Sequence, residues 1–193
     1  MKNYVIIGAM DGISHDNIFD RLKDETDYQA YFIEPVPYYF EKLKENIKQL
    51  SNANAYNLFI LDNNASVQMA FVKPEFLPKE SFLDGCSSLV ENNIPLNKYL
   101  KEVPKNILET IEINSITFEQ FCKLHDIKDI HYLQIDTEGC DERILNTIDL
   151  KKYSVKELKF ENHYISDNFY SELLIKYPQY KGEIVGADII LKL

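Results

Sequence analysis

The sequence predicts an α/β domain: a mainly parallel sheet with helices on both faces. Three observations carry this. Short apolar runs alternate along the chain with stretches of helical periodicity. The runs Tyr4-Val5-Ile6-Ile7 and Ala30-Tyr31-Phe32-Ile33 are apolar at successive positions, as strands buried on both faces must be. And 193 residues, 45 % of them hydrophobic, suffice for one core rather than two, so residues 1–193 are expected to form a single domain.

The elements follow in order. The first strand ends at Gly8, and a turn-rich segment leads to Asp16 or Asn17, either able to cap a helix carrying Ile18, Phe19 and Leu22. The second strand ends at Glu34. After Pro35 and Pro37, Phe40, Leu43, Ile47 and Leu50 fall on one helix face. Residues 54–60 read as a third strand and 68–72 as a peripheral one. Residues 73–106 hold Pro74, Pro78, Pro95 and Pro104 without a sustained period; so long a loop in a small domain points to a lid. Thr117 and Gln120 have capping-box spacing, with Ile116 and Phe121 as a hydrophobic staple. Residues 131–135 form the next strand, followed by Asp136-Thr137-Glu138-Gly139 and a helix bearing Ile144, Leu145 and Ile148. A strand over 155–160 leads into Glu161-Asn162-His163, and Ser166 caps a helix with Phe169, Leu173 and Leu174. Residues 183–185 and 188–193 close the sheet as an antiparallel pair around Gly186.

Charge excludes several function classes. Lys plus Arg is 21 and Asp plus Glu is 31, a formal charge of −10. Binding to nucleic acid or to an anionic membrane surface needs a basic face, so neither is expected. No apolar run approaches the ~20 residues of a membrane span, and the first residues lack the long apolar core of a signal peptide. Cys86, Cys122 and Cys140 are widely spaced, with no CxxC pair to suggest a disulfide framework or a zinc ribbon. The expected setting is cytoplasmic.

Ligands of such a sheet bind outside the carboxyl ends of its strands. Four strands end there in Gly8-Ala9-Met10-Asp11-Gly12, in Glu34, in Asp136-Thr137-Glu138 and in Glu161-Asn162-His163. Gly8 and Gly12 let the backbone approach a ligand. Glu34 follows Gly8 by 26 positions, near the spacing at which an acid grips ribose hydroxyls. The turn is Gly-x-x-x-Gly, not the GxGxxG that wraps a pyrophosphate, and Asp11 would repel one. S-adenosylmethionine, a sulfonium without phosphate, suits an acidic turn better. The plainer alternative is an ordinary strand–helix turn beside an exposed glutamate.

Ile7-Gly8-Ala9-Met10-Asp11-Gly12 with Asp16, Ile33-Glu34-Pro35-Val36-Pro37, Leu133-Gln134-Ile135-Asp136-Thr137-Glu138-Gly139-Cys140-Asp141 and Phe160-Glu161-Asn162-His163 together resemble the FkbM family of methyltransferases. Gly85-Cys86-Ser87-Ser88-Leu89 and Ile116-Thr117-Phe118 add smaller marks. The resemblance implies a class I methyltransferase fold: a Rossmann-like three-layer sandwich whose seven-stranded sheet has its last strand reversed. It also implies S-adenosylmethionine as cofactor and O-methylation of a small hydroxyl-bearing acceptor, such as a sugar or polyketide. The sequence departs from the family at Met10, where asparagine is usual. It also begins only three residues before its first strand. Cover for the cofactor is then expected from residues 73–106, from a second subunit of a homo-oligomer, or not at all.

On this reading Gly8, Ala9 and Gly12 approach the methionine end of the cofactor, with Asp11 near it. Glu34 binds ribose, Pro35 and Val36 flank the adenine, and Asn57 or Asp62 meets its amino group. Asp136 lies against the transferring methyl and orients or deprotonates the acceptor; the alternative is a helix cap. His163 is a second candidate base. Glu138 is a ligand to nearby N–H groups or simply a helix-start acid. Asp136, Glu161 and Asn162 also suggest a Mg²⁺ site, as in catechol-type enzymes. His15, His125 and His131 show no ligand spacing. Tyr38, Tyr39, Tyr99 and Tyr164 are candidates to stack on a sugar, and Ser87 and Ser88 to touch the acceptor from the lid. Two rival functions remain open: a cofactor-binding module without catalysis, and a nicotinamide-dependent oxidoreductase, which the missing GxGxxG disfavours.

Overall fold

A computed structural model describes residues 1–14, 17–77, 83–90 and 107–193. In chain order the strands are β1 (Lys2–Ile7), β2 (Tyr28–Ile33), β3 (Ala53–Tyr56), β4 (Phe59–Leu61), β5 (Ser66–Val72), β6 (Ser87–Leu89), β7 (Leu108–Thr117), β8 (Tyr132–Ile135), β9 (Glu157–Glu161), β10 (Lys181–Val185) and β11 (Asp188–Lys192). The helices are α1 (Ile18–Lys23), α2 (Pro37–Asn46), α3 (Phe118–Leu124), α4 (Asp141–Leu145) and α5 (Phe169–Lys176). Seven strands form one sheet in the order β10-β11-β9-β8-β1-β2-β3. β3, β2, β1, β8 and β9 run parallel, while β11 is antiparallel to β9 and to β10. This is the seven-stranded arrangement, with one reversed strand, that the resemblance implies.

The apolar runs follow from burial on both faces. Val5 and Ile7 of β1 join one core with Leu133, Phe121 and Phe160. Tyr4 and Ile6 join the other, where α1 contributes Ile18, Phe19 and Leu22 and α2 contributes Leu43. No helix among the described residues is long and apolar enough to cross a membrane.

The structure corrects several element boundaries. Residues 54–60 are not one strand. Asn57 breaks the run: its Nδ2 donates to the carbonyls of Glu34 and Pro35, both at 2.9 Å. The chain therefore leaves the main sheet, and β4 enters a second one, ordered β4-β7-β5-β6. Its longest strand, β7, was not expected; Thr110, Glu112 and Asn114, at every other position, leave one side of it polar and exposed. Ser166 does not cap α5. The N-cap is Asn168, while the Ser166 N–H and hydroxyl donate to Glu142 at 2.7 and 3.0 Å. α4 stops at Leu145, leaving Ile148 buried in the turn beyond. Asn17 occupies the N-cap of α1 without a side-chain cap bond, and Asp16 and His15 lie outside the described residues. So do parts of the expected lid, residues 78–82 and 91–106, and with them Tyr99.

The cap at Thr117 forms as its spacing requires: Oγ1 accepts from the Gln120 N–H at 3.1 Å. Thr117→Ala is expected to cost about 1 kcal/mol in urea unfolding with an unchanged m-value.

Candidate active site

Gly8 ends β1 with φ +80°, and a Cβ there would stand 1.6 Å from the Asp136 carbonyl oxygen. Its N–H and that of Ala9 both donate to the Ile33 carbonyl at 3.0 Å, while the Asp136 N–H donates to Ile7 at 2.9 Å. Three strand ends thus meet at a residue that has no room for a side chain. Beside them lies a cavity of about 420 Å³.

Gly8, Ala9, Gly12, Glu34, Pro35, Asp136 and Glu161 all line that cavity, so residues from β1, β2, β8 and β9 converge as expected. Glu34 is 4 % exposed. Its Oε2 accepts from the Met10 N–H and its Oε1 from the Val36 N–H, each at 2.8 Å. Burial pushes its carboxyl up to about 8 despite those two bonds, helped by the nearby charges of Asp136 and Asp11.

Asp11, Asn57 and Asp62 are corrected: none lines the cavity. Asp11 folds back on its own turn, accepting from the N–H groups of Ile13 and Ser14 at 3.1 and 2.8 Å and from the Ser14 hydroxyl at 2.7 Å. Partial burial opposes ionisation, but these bonds outweigh it and hold the carboxyl below its usual range. An Asp followed by turn residues is suited to this local closure. Both Asn57 amide hydrogens are taken by the Glu34 and Pro35 carbonyls, so its effect on the site is to fix the loop that carries Glu34. Asp62 pairs with Arg143 at 2.7 Å.

Asp136 is reached by solvent but sits in a recess of protein. Loss of solvation, then the charges of Asp141 and Glu138, raise its carboxyl. Glu138 lines the cavity from a strained backbone position, φ +51°, and accepts a hydrogen bond from the Cys86 thiol at 3.4 Å. Burial, then the Glu161 charge, push it up to about 7. Glu161 meets His163 Nδ1 through Oε1 at 2.9 Å, whereas its Oε2 is buried without a hydrogen-bond partner among the described residues. Burial pushes this carboxyl also to about 7, against the His163 bond. The His163 side chain is 62 % exposed and outside the cavity wall; it reaches the site only through Glu161. Asp141, 2 % exposed, accepts from the Thr137 N–H and hydroxyl and holds the turn between Asp136 and Glu138.

The Mg²⁺ expectation finds no support. Asn162 does not line the cavity, and no group of three or more His, Cys, Asp or Glu among the described residues is placed to hold a metal ion.

Met10 and Glu138, from the strand-end segments, also form part of the cavity wall, and so do Asp84, Gly85 and Cys86, to which sequence reasoning assigned no site role. The Gly85-Cys86-Ser87 run was visible, but nothing local shows that it folds against the first turn. Ser87 lines the cavity; Ser88 points away and is buried. Among the tyrosines, Tyr38 is exposed and Tyr39 buried, and neither they nor Tyr164 line the cavity. His125 and His131 pack against rings, as Tyr31 and Tyr4 show.

The profile of the methyltransferase FkbM domain matches residues 7–176, which include all four strand-end segments. The chain belongs to the FkbM methyltransferase family. That family implies S-adenosylmethionine as methyl donor. Among solved structures, the chain is similar to the FkbM methyltransferase of Methylobacillus flagellatus KT, with 13 % identity and TM-score 0.61, covering 100 % of this chain and 43 % of that one. The likeness shows a shared fold, and this chain spans less than half the length of that protein. A precorrin-6y C5,15-methyltransferase from Geobacter metallireducens GS-15 also aligns, with 10 % identity and TM-score 0.47 over 98 % of this chain and 77 % of that one. No curated protein sequence matches. The FkbM donor fits the residues present: a glycine turn with no space for a Cβ, a buried acid for hydroxyl groups, and carboxylates facing what would be a cationic ligand.

Proposed function

We propose that this FkbM-family domain is an O-methyltransferase that methylates a hydroxyl of a small molecule, a sugar or glycan component in the reading favoured by the resemblance. One observation carries it: the Gly8–Gly12 turn, Glu34 and Asp136 border a single cavity. S-adenosylmethionine supplies an activated methyl on a sulfonium. Glu34, whose oxygens each keep a lone pair, accepts from ribose hydroxyls, while Gly8 and Ala9 let the donor's amino-acid end lie along the backbone. Pro35 forms an apolar edge for the adenine. Asp136 accepts the acceptor's proton at a carboxylate oxygen. Its weakened solvation makes it a better base than a free carboxylate. His163 orients Glu161 from outside the wall. Holding acceptor and donor together supplies the rest of the rate.

Calorimetric titration with S-adenosylhomocysteine tests the donor site. Wild type is expected to bind, and Glu34→Gln to bind at least roughly tenfold more weakly, the worth of hydrogen bonds to a charged group. Equal affinity would overturn the Glu34 assignment. Binding of NAD in place of S-adenosylhomocysteine would favour an oxidoreductase. Donor binding without methylation of any member of a hydroxyl-acceptor panel would leave a binding module.

A further inference from the structure

Tyr39 lies on α2, five residues after Glu34, and is only 1 % exposed. Its hydroxyl is fully used: it donates to Asp84 Oδ1 and accepts from the Gly85 N–H, both at 2.8 Å. Gly85, at φ +93°, packs so closely on Met10 that a Cβ there would stand 2.8 Å from the Met10 sulfur. Met10 in turn gives its N–H to Glu34. Beyond Gly85, Cys86 and Ser87 face the cavity, the Cys86 thiol donating to Glu138, and β6 then pairs with β5. The segment is therefore tied on one side by the β6–β5 pairing and on the other by the Tyr39 phenol, beside Leu83 packed with Ala70 and Val72.

We infer that Tyr39 is a positioning residue: its hydroxyl pins the Asp84–Ser87 wall against the donor turn and so sets the acceptor side of the cavity. The inference rests on the proposed methyltransferase reading for what the wall faces, but the anchoring itself stands on geometry. The helix that follows the ribose-binding acid also carries the hydroxyl that fixes the opposite wall. Tyr39 touches neither donor nor acceptor, so removing its hydroxyl alters the wall and leaves the donor contacts in place.

Cys86 is a built-in reporter. It is partly exposed, whereas Cys122 and Cys140 are buried. Burial, then the Glu138 and Glu161 charges, hold its thiol above the ordinary range, so it reacts slowly while the wall is seated. In Tyr39→Phe the ring still fills the core but both hydrogen bonds are lost. N-ethylmaleimide modification of Cys86, followed by peptide mass spectrometry, is expected to quicken by roughly tenfold, the worth of one or two hydrogen bonds. S-adenosylhomocysteine affinity should stay within about twofold of wild type, a difference smaller than a single hydrogen bond. Asp84→Ala should reproduce the faster labelling. Asp84→Asn, which keeps an acceptor for the phenol, should restore the slow rate, a rescue that a general loss of stability would not show. Equal Cys86 labelling in wild type and Tyr39→Phe would overturn the inference, as would failure of Asp84→Asn to rescue. If wild type does not bind S-adenosylhomocysteine, the donor reading fails separately, and the labelling comparison still decides whether Tyr39 is the anchor.

Discussion

Gly8→Ala is expected to be the most damaging small substitution in the protein. Two costs add. A residue with a Cβ at φ +80° is in the left-handed region, worth about 1–2 kcal/mol. The new methyl would also overlap the Asp136 carbonyl, at 1.6 Å, and that carbonyl belongs to backbone that cannot swing aside as a side-chain tip can. Relief requires β1 and β8 to part where the Asp136 N–H bonds to Ile7. A total of about 4–5 kcal/mol is expected, the range of exceptional single-site losses and a large share of the ~5–15 kcal/mol that holds a domain folded. Gly186 supplies the control. It also has positive φ, +64°, but nothing lies within 4 Å of its Cβ position, so Gly186→Ala should cost only the conformational part, about 1–2 kcal/mol. Urea unfolding of both variants measures the difference. Equal losses would show that close packing at Gly8 is not what demands glycine there. S-adenosylhomocysteine binding should vanish in Gly8→Ala and survive in Gly186→Ala.

The same glycine shows what the sequence could and could not reveal. An apolar run ending in glycine announces a strand followed by a ligand-facing turn, because both signals are local. The seven-stranded sheet was legible for this reason: Tyr4-Val5-Ile6-Ile7 is uniformly apolar since Val5 and Ile7 feed one core and Tyr4 and Ile6 the other. β7 escaped notice because its exposed face is polar at every other position, an amphipathic pattern directly after the proline-bearing stretch 73–106. Side-chain direction was only partly legible, since local partners such as the Met10 and Val36 N–H groups on Glu34 do not by themselves decide it. Glu34 and Asp136 reach the cavity, but Asp11 finds the Ser14 and Ile13 N–H groups within its own turn, and Asp62 finds Arg143 from 81 positions away. The latter partner, and the packing of Gly85 on Met10, depend on tertiary approach that no spacing rule encodes. Glu138 reads as a helix-start acid because Asp141 lies just beyond it, yet its positive φ turns it toward the cavity.

Stability should fall as pH rises from about 6 to 8.5, contrary to the behaviour of proteins whose carboxylates are paired with cations. Glu34 is buried and pushed up to about 8, and Glu138 and Glu161 to about 7, whereas all three ionise near 4.5 when the chain is unfolded. Between those limits the folded state holds protons that the unfolded state has released. The stabilisation is thus fully present below about 4.5 and is lost as pH climbs through the folded values. Glu34 alone accounts for roughly 2 kcal/mol between pH 6 and 8, each unit inside the window being worth up to about 1.4. Glu138, which feels the charge of Glu161, and Glu161 itself add a smaller share below pH 7. The net charge of −10 adds self-repulsion in the same direction. A fall in midpoint temperature of about 5–10 °C is expected by scanning calorimetry across that range. Glu34→Gln, which cannot release a proton, should flatten much of the slope, whatever it does to absolute stability. A curve that stays level or rises in wild type would show that these acids are already ionised at pH 6. A cationic donor must act oppositely. By favouring the ionised carboxylates it releases their protons on binding, so S-adenosylmethionine affinity should increase over the interval in which the unliganded fold weakens. On the proposed reading, the acids that weaken the ligand-free fold at high pH are the groups that favour a sulfonium, and buffer-dependent calorimetry of the released protons measures that link directly.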